Sequence, residues 1–170
     1  MPDEPLEERD GWYVVNVKDA HWFESPVFGK SVLFEDRDSY RARAVGVRLH
    51  ILEPGKPNCR YHRESAQENF LVLSGRCRLL VNGEQRRLEP WDFVHCAPGV
   101  SHVFVGEGDG PCVMLMVGDR PEHLRIFYPR HAAARAVNAE APEPTADPRV
   151  AYSDVTPWAP TESRDWPLDG

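Results

Sequence analysis

Two short stretches hold most of the side chains in this sequence that could do chemistry together. PNCRYHRESAQENFLVLSG, residues 57–75, brings His62, Glu64 and Glu68 together just before an apolar run that ends at Gly75. WDFVHCAPGVSH, residues 91–102, adds His95 and His102. Imidazole nitrogens and carboxylate oxygens suit a first-row divalent metal, and two imidazoles with one carboxylate and open positions suit non-haem iron chemistry. His62, Glu68 and His102 make up such a set. Glu64 has the parity of His62 along the chain and is the natural fourth candidate; the neutral amide of Gln67 is a weaker one. The competing readings are a hydrogen-bonded surface pair of His62 and Glu68, or a site that holds no metal.

Groups this far apart in sequence meet only if strands carry them to one place, because inward residues of neighbouring strands converge inside a barrel. The chain supplies such strands. Residues 13–17 read as a first short strand, Trp22, Phe23 and Phe28 as an aromatic loop or edge strand, and the segment from Ser31 as another strand. In residues 41–53, Val45, Val47, Leu49 and Ile51 alternate with Gly46, Arg48, His50 and Leu52, a period of two. Arg48 and His50 therefore share a face, either lumenal or solvated, of which the solvated reading is the simpler. Pro54 and Gly55 end this strand. Residues 69–73 are a near-continuous apolar run, Ser74-Gly75 turns the chain, and residues 77–81 return. Asn82-Gly83 predicts a two-residue hairpin turn, since type I′ needs positive φ at both positions. Strands follow at residues 86–88, 93–96, 102–105 and 112–117. Many short strands punctuated by Gly and Pro predict an antiparallel sandwich or barrel.

Beyond Gly118 the composition changes. Residues 130–139, RHAAARAVNA, have the helical propensity of an Ala-rich run between Pro129 and Pro142. The Pro-rich remainder cannot build a core of its own. Tyr152, Trp158 and Trp166 are costly to leave in water, so part of this tail is expected to lie across the barrel or a partner subunit. The expected organisation is an acidic leader at 1–10, a β-barrel at 11–118 and a C-terminal arm with a short helix at 119–170.

The two stretches resemble the paired motifs of the cupins. Gly55, His62, Glu68 and Gly75 fall into the frame of the first motif, with six residues between Glu68 and Gly75. Ala97, Pro98, Gly99 and His102 occupy the latter half of the second, where Trp91 stands in place of the opening Gly and Asp92 matches the acidic residue after it. If His62 is the first His of H-x-H, Glu64 fills the second slot; if it is the second, Arg60 stands in the first. The resemblance implies an all-β, double-stranded β-helix (jelly-roll) fold, a divalent transition metal such as Zn, Fe, Mn or Ni, and His62, Glu64, Glu68 and His102 as its candidate ligands. It also implies a small organic ligand in the lumen. His95 is a candidate substrate contact or proton shuttle, its plainer reading being a histidine at the barrel wall. Arg60 is a candidate clamp for a carboxylate, its plainer reading a surface residue, and Gln67 completes the candidate substrate contacts. Two functions follow: a metal-binding cupin that holds a small molecule without turnover, or a metal-dependent dioxygenase, isomerase or decarboxylase.

Composition narrows the alternatives. The chain has 170 residues, a net charge of −7 and a pI near 5.5, room for one substantial core. Nucleic-acid binding needs a basic face, which this composition does not favour. The leader MPDEPLEERD lacks the apolar segment of a signal peptide, and no apolar run approaches a membrane span, so a cytoplasmic protein is expected. Cys59, Cys77, Cys96 and Cys112 have neither the spacing of a zinc knuckle nor that of a disulfide framework. No nucleophile with an adjacent base and no phosphate-binding Gly loop stands out. A homodimer is expected, since edge strands and apolar outer faces of a small barrel need cover.

Overall fold

A computed structural model of the protein describes residues 12–35 and 44–162. The leader, the start of the alternating segment at residue 41, and Trp166 lie outside the described residues. Strand β1 (His21–Ser25) leads to β2 (Gly29–Leu33), β3 (Val45–Leu52), a two-residue β4 (Arg63–Glu64) and β5 (Glu68–Ser74). Strands β6 (Arg76–Val81), β7 (Glu84–Leu88), β8 (Phe93–Cys96), β9 (His102–Glu107) and β10 (Cys112–Asp119) follow. The arm holds β11 (Ile126–Phe127), the single-turn helices α1 (Ala132–Arg135) and α2 (Pro148–Ala151), and β12 (Ala159–Pro160). The expected strand at residues 13–17 is instead chain without regular structure running into a 3-10 turn at Val17–Asp19, capped by the Asn16 side chain. The expected ten-residue helix shrinks to α1, capped by His131, because Asn138 adopts a left-handed φ of 57° and ends it.

The strands pair antiparallel into a seven-stranded sheet, β12-β1-β2-β3-β10-β5-β8, and a three-stranded sheet, β7-β6-β9. A β11–β4 ladder joins the smaller sheet through a bridge between His62 and His102. Between the sheets lie Leu52, Phe70, Val72, Cys77, Leu79, Phe104 and Met114. These are alternate residues of their strands, as a two-residue period demands. The opposite parity builds two satellite cores. Trp22, Val32, Leu49, Ile51 and Val113 pack on the outside of the larger sheet, and Leu80 and Val103 pack against Ala134 of α1 on the outside of the smaller one.

Gly75 closes the turn from β5 to β6 with φ 70°, and a Cβ there would sit 2.2 Å from the Pro111 carbonyl oxygen. Neither a left-handed backbone nor that contact admits a side chain. Trp91, at the position where the resembled motif carries Gly, keeps the positive φ (77°), and its amide donates to Val72 O at 2.8 Å. The turn geometry thus survives the loss of the residue that usually supplies it.

The arm folds back over the barrel of its own chain. Arg60 is its fastener: Nε donates to Ala151 O (3.2 Å), one terminal nitrogen to Asn138 O and Glu140 O (3.1 and 2.8 Å), and the other to Asp154 Oδ1. Trp158 stacks on Phe28 and meets His50 edge-on, and Tyr152 packs against Phe28 and Tyr128. His50 is fully buried, and its Nε2–H donates to Phe28 O at 2.7 Å.

Two expected outcomes follow. Asn82 and Gly83 have φ of 46° and 86°, so the hairpin turn is as the sequence predicts, and a Cβ on Gly83 would meet His131 at 3.1 Å. Gly83→Val should cost on the order of 1 to 2 kcal/mol in chemical denaturation, because a β-branched residue tolerates positive φ poorly; an unchanged midpoint would contradict this turn. Burial, and less so the Arg48 charge, hold His50 down to about 4. A depressed histidine favours the neutral ring, so its contribution is present above the unfolded value of about 6.5 and is lost as pH falls towards 4. At about 1.4 kcal/mol per pH unit the loss is about 3 kcal/mol. Denaturation curves of the wild type and His50→Gln should differ in this window; parallel pH profiles would remove the claim.

Candidate metal centre

His102 opens β9 and His62 lies opposite it, just before β4. Their backbones exchange two hydrogen bonds, His102 N to His62 O at 2.8 Å and His62 N to His102 O at 3.3 Å. Residues directly opposite in an antiparallel pair project to the same face, and the two rings stand 4.9 Å apart. Glu68 starts β5, with the inward parity of Phe70 and Val72. Its Oε2 lies 3.3 Å from His102 Nε2. Glu64, two residues beyond His62, places Oε1 3.2 Å from His62 Nε2. One ligand atom from each of His62, Glu68 and His102 lies within 4.8 Å of the other two.

The second nitrogen of each ring fixes the tautomer. His62 Nδ1 lies 2.8 Å from Arg60 O, and His102 Nδ1 lies 3.1 Å from Val100 O. A carbonyl only accepts, so each Nδ1 carries the proton and each Nε2 turns a lone pair toward a carboxylate. Lone pair facing lone pair needs a cation or an added proton between them. Backbone acceptors on the remote nitrogen are also how metal-binding imidazoles are held in place. Two buried imidazoles and one or two carboxylates, so oriented, fit a divalent transition metal. Phe70 edge-packs on His102 and Tyr128 flanks His62, which keeps the rings from turning.

With protons alone the cluster divides them unevenly. Burial, reinforced by the neighbouring Glu64 charge, pushes Glu68 up to about 7. Burial and the proximity of His62 hold His102 down to about 4. Burial opposes charge on His62 as well, but Cys59, Glu64 and Glu68 together raise it well above the ordinary imidazole value. Burial would raise Glu64, yet the hydrogen bond and charge of His62 leave it lowered. Crowded donors that shift one another in this way mark functional clusters more often than structural ones.

The cluster faces a cavity of about 800 Å³ between the sheets. The structure brings His62, Glu64, Glu68 and His102 together there and leaves the other candidates out. His95 faces outward, exposed, with Nδ1 2.9 Å from Asn69 Oδ1, because it alternates with the inward Val94 and Cys96. Arg60 is 4% exposed and its guanidinium is committed to the arm, so the substrate clamp is corrected to a structural fastener. Gln67 precedes β5 and does not line the cavity. Arg48 and His50 both line the cavity wall, so their shared face is the inner one: His50 is buried there, whereas Arg48 stays exposed to solvent. Tyr128, Tyr152 and Trp158 of the arm line it too, as does Cys59, whose Sγ lies 3.6 Å from His62 Nδ1. The arm residues were legible as aromatics needing cover, but no local pattern pointed them here.

Comparison with known proteins follows the same line. The cupin domain family model matches residues 48–118. A search of curated protein sequences returned no match. Among solved structures, a candidate sugar phosphate isomerase from Acidithiobacillus ferrooxidans is 29% identical with a TM-score of 0.53, over 59% of this chain and 65% of that one, just under two thirds of its length. A cupin-superfamily sugar phosphate isomerase from Silicibacter pomeroyi is 21% identical (TM-score 0.61, 70% and 83% covered). A polyketide cyclase from Streptomyces resistomycificus is 16% identical (TM-score 0.56, 66% and 83% covered). The last two likenesses speak for the fold alone. All four clustered side chains fall within the matched segment, and residues 48–118 of this chain form a cupin domain.

Proposed function

We propose that this protein is a metal-binding cupin that holds a small organic molecule in the lumen of its barrel. The observation that carries the reading is the pair of imidazoles whose Nδ1 protons are fixed by Arg60 O and Val100 O, leaving both Nε2 lone pairs turned toward Glu64 and Glu68. His62, Glu68 and His102 would hold the ion, with Glu64 as fourth ligand or as the acceptor that orients one. A divalent ion there would act as a Lewis acid toward an oxygen of the bound molecule. The chain's own residues do the rest: Phe70, Tyr128 and Trp158 wall the cavity and limit water, and the arm held by Arg60 sets its shape. A metal-dependent enzyme of dioxygenase, isomerase or decarboxylase type is the second reading. The cavity that opens onto the cluster favours it, since it leaves room for a bound molecule beside the ion. Closed four-ligand coordination including Glu64 would favour binding without turnover, and an ion that keeps a water would favour catalysis.

Elemental analysis of the purified protein tests the site. Replacing His62, Glu68 or His102 with Ala should remove most of the metal, because two remaining protein ligands hold a labile divalent ion poorly. Glu64→Ala should weaken binding by about 10- to 100-fold if Glu64 orients a ligand, and His95→Ala should leave metal content intact. Full occupancy in His102→Ala would sink the assignment.

We also infer a homodimer. Val45 and Val47 on the outer face of β3 are 38% and 37% exposed, and Phe93 and Trp91 at the β8 edge are 65% and 74% exposed. An apolar outer face running to an open edge is what a second copy would cover. Sedimentation at micromolar concentration should show twice the 19.3 kDa chain mass, and Phe93→Asp should shift it to the monomer; a wild type that sediments as one chain excludes the dimer.

A further inference from the structure

The cavity wall carries a cation that the metal centre does not use. Arg48 projects from β3 into the cavity, near enough for its charge to act on the carboxylates of Glu64 and Glu68 and on His50. The other arginine on this wall, Arg120, is held by both oxygens of Glu35, at 2.7 and 2.8 Å. Arg48 has no such carboxylate in contact among the described residues, and it is not committed to any backbone carbonyl as Arg60 is. Arg48 is solvent-exposed where it lines the cavity wall, and its guanidinium there is a planar fork of donors with no carboxylate of the described residues to hold it.

Ser31 is the independent second observation. It sits on β2 directly opposite His50 and two register steps from the Leu33–Arg48 pair, so its side chain enters the cavity on the same wall. It is 6% exposed, and its Oγ makes no hydrogen bond. A buried hydroxyl without a partner costs free energy that burial alone does not return, and an acceptor brought in by a ligand would satisfy it. Arg48 and Ser31 therefore offer donors, and no acceptor charge, to whatever enters.

We propose that Arg48 and Ser31 form an anion subsite that takes the carboxylate of a small organic acid, whose second oxygen function reaches the His62, Glu68 and His102 cluster. The proposal rests on the lumenal-ligand reading above and names its chemical class. The planar donor fork of Arg48 matches the two in-plane oxygens of a carboxylate, with the Ser31 hydroxyl as a further donor on the same wall.

The test is equilibrium binding of lactate, its neutral counterpart lactamide, and inorganic phosphate to the protein with and without added Mn(II), read by the fluorescence of Trp158 on the cavity wall and by calorimetry. Lactate should bind at least about 10-fold more tightly than lactamide. Arg48→Gln should weaken lactate by about 10- to 100-fold, the range of a hydrogen bond to a charged group, with lactamide binding and metal content unchanged. Ser31→Ala should weaken lactate by a smaller factor. Lactate binding that ignores Arg48→Gln, no binding of lactate to the metal-loaded wild type, or phosphate bound more tightly than lactate through Arg48 would each overturn the proposal. Failure of the metal reading is separable: it shows as a wild type that holds no metal, while Arg48-dependent lactate binding in the metal-free protein would still support the subsite.

Discussion

Two backbone hydrogen bonds exchanged between His62 and His102 tie the short strand β4 to β9, and much else depends on them. They set two residues forty positions apart directly opposite one another. In an antiparallel pair that opposition sends both side chains to one face, so the imidazoles converge without any need to reach. The parity of β5 then brings Glu68 to the same place from the other sheet, and the parity of His62 brings Glu64. A slip of one residue at any of these joins would turn a ligand out of the lumen. Gly75 holds the β5–β6 turn against Pro111 and excludes one such slip.

The arm is the second organising feature. A Pro-rich chain with few aliphatics cannot pack on itself, and here it is bound to the barrel chiefly through its backbone carbonyls. Arg60 collects three of them and Asp154 within one buried guanidinium. A buried arginine is tolerable when its donors are met, and removing it would strand several acceptors at once. The arm carries Tyr128, Tyr152 and Trp158 over the cavity as a consequence, so the residue that fastens the tail also shapes the ligand space. Arg60, a candidate substrate clamp or surface residue by sequence, uses its planar fork on oxygen acceptors that belong to the protein itself.

The acidic balance of the chain and the arginines on its cavity wall are compatible because they act at different ranges. Net charge governs solubility and encounter over about a Debye length, near 8 to 10 Å. Within the barrel, local groups dominate, and there Glu64, Glu68 and Asp119 stand against Arg48, Arg120 and the imidazoles of His50, His62 and His102.

The alternation in β3, the Asn82-Gly83 turn, the strand punctuation and the two motif stretches were legible in the sequence because each rests on local rules: a period of two, positive φ at a hairpin, proline's missing donor. They were enough for the all-β class, for most strands and for His62, Glu64, Glu68 and His102 as candidates. Periodicity shows that Arg48 and His50 share a face but not which side of the sheet is covered, and that choice depends on the distant strands β2 and β10 and on Trp158. The same holds for His95, whose neighbours Val94 and Cys96 take the inner positions. The helical run shortened because Asn138 turns left-handed and the chain must deliver its carbonyls to Arg60. Spacing along a chain determines which residues move together; only packing between segments far apart in sequence decides which way they face.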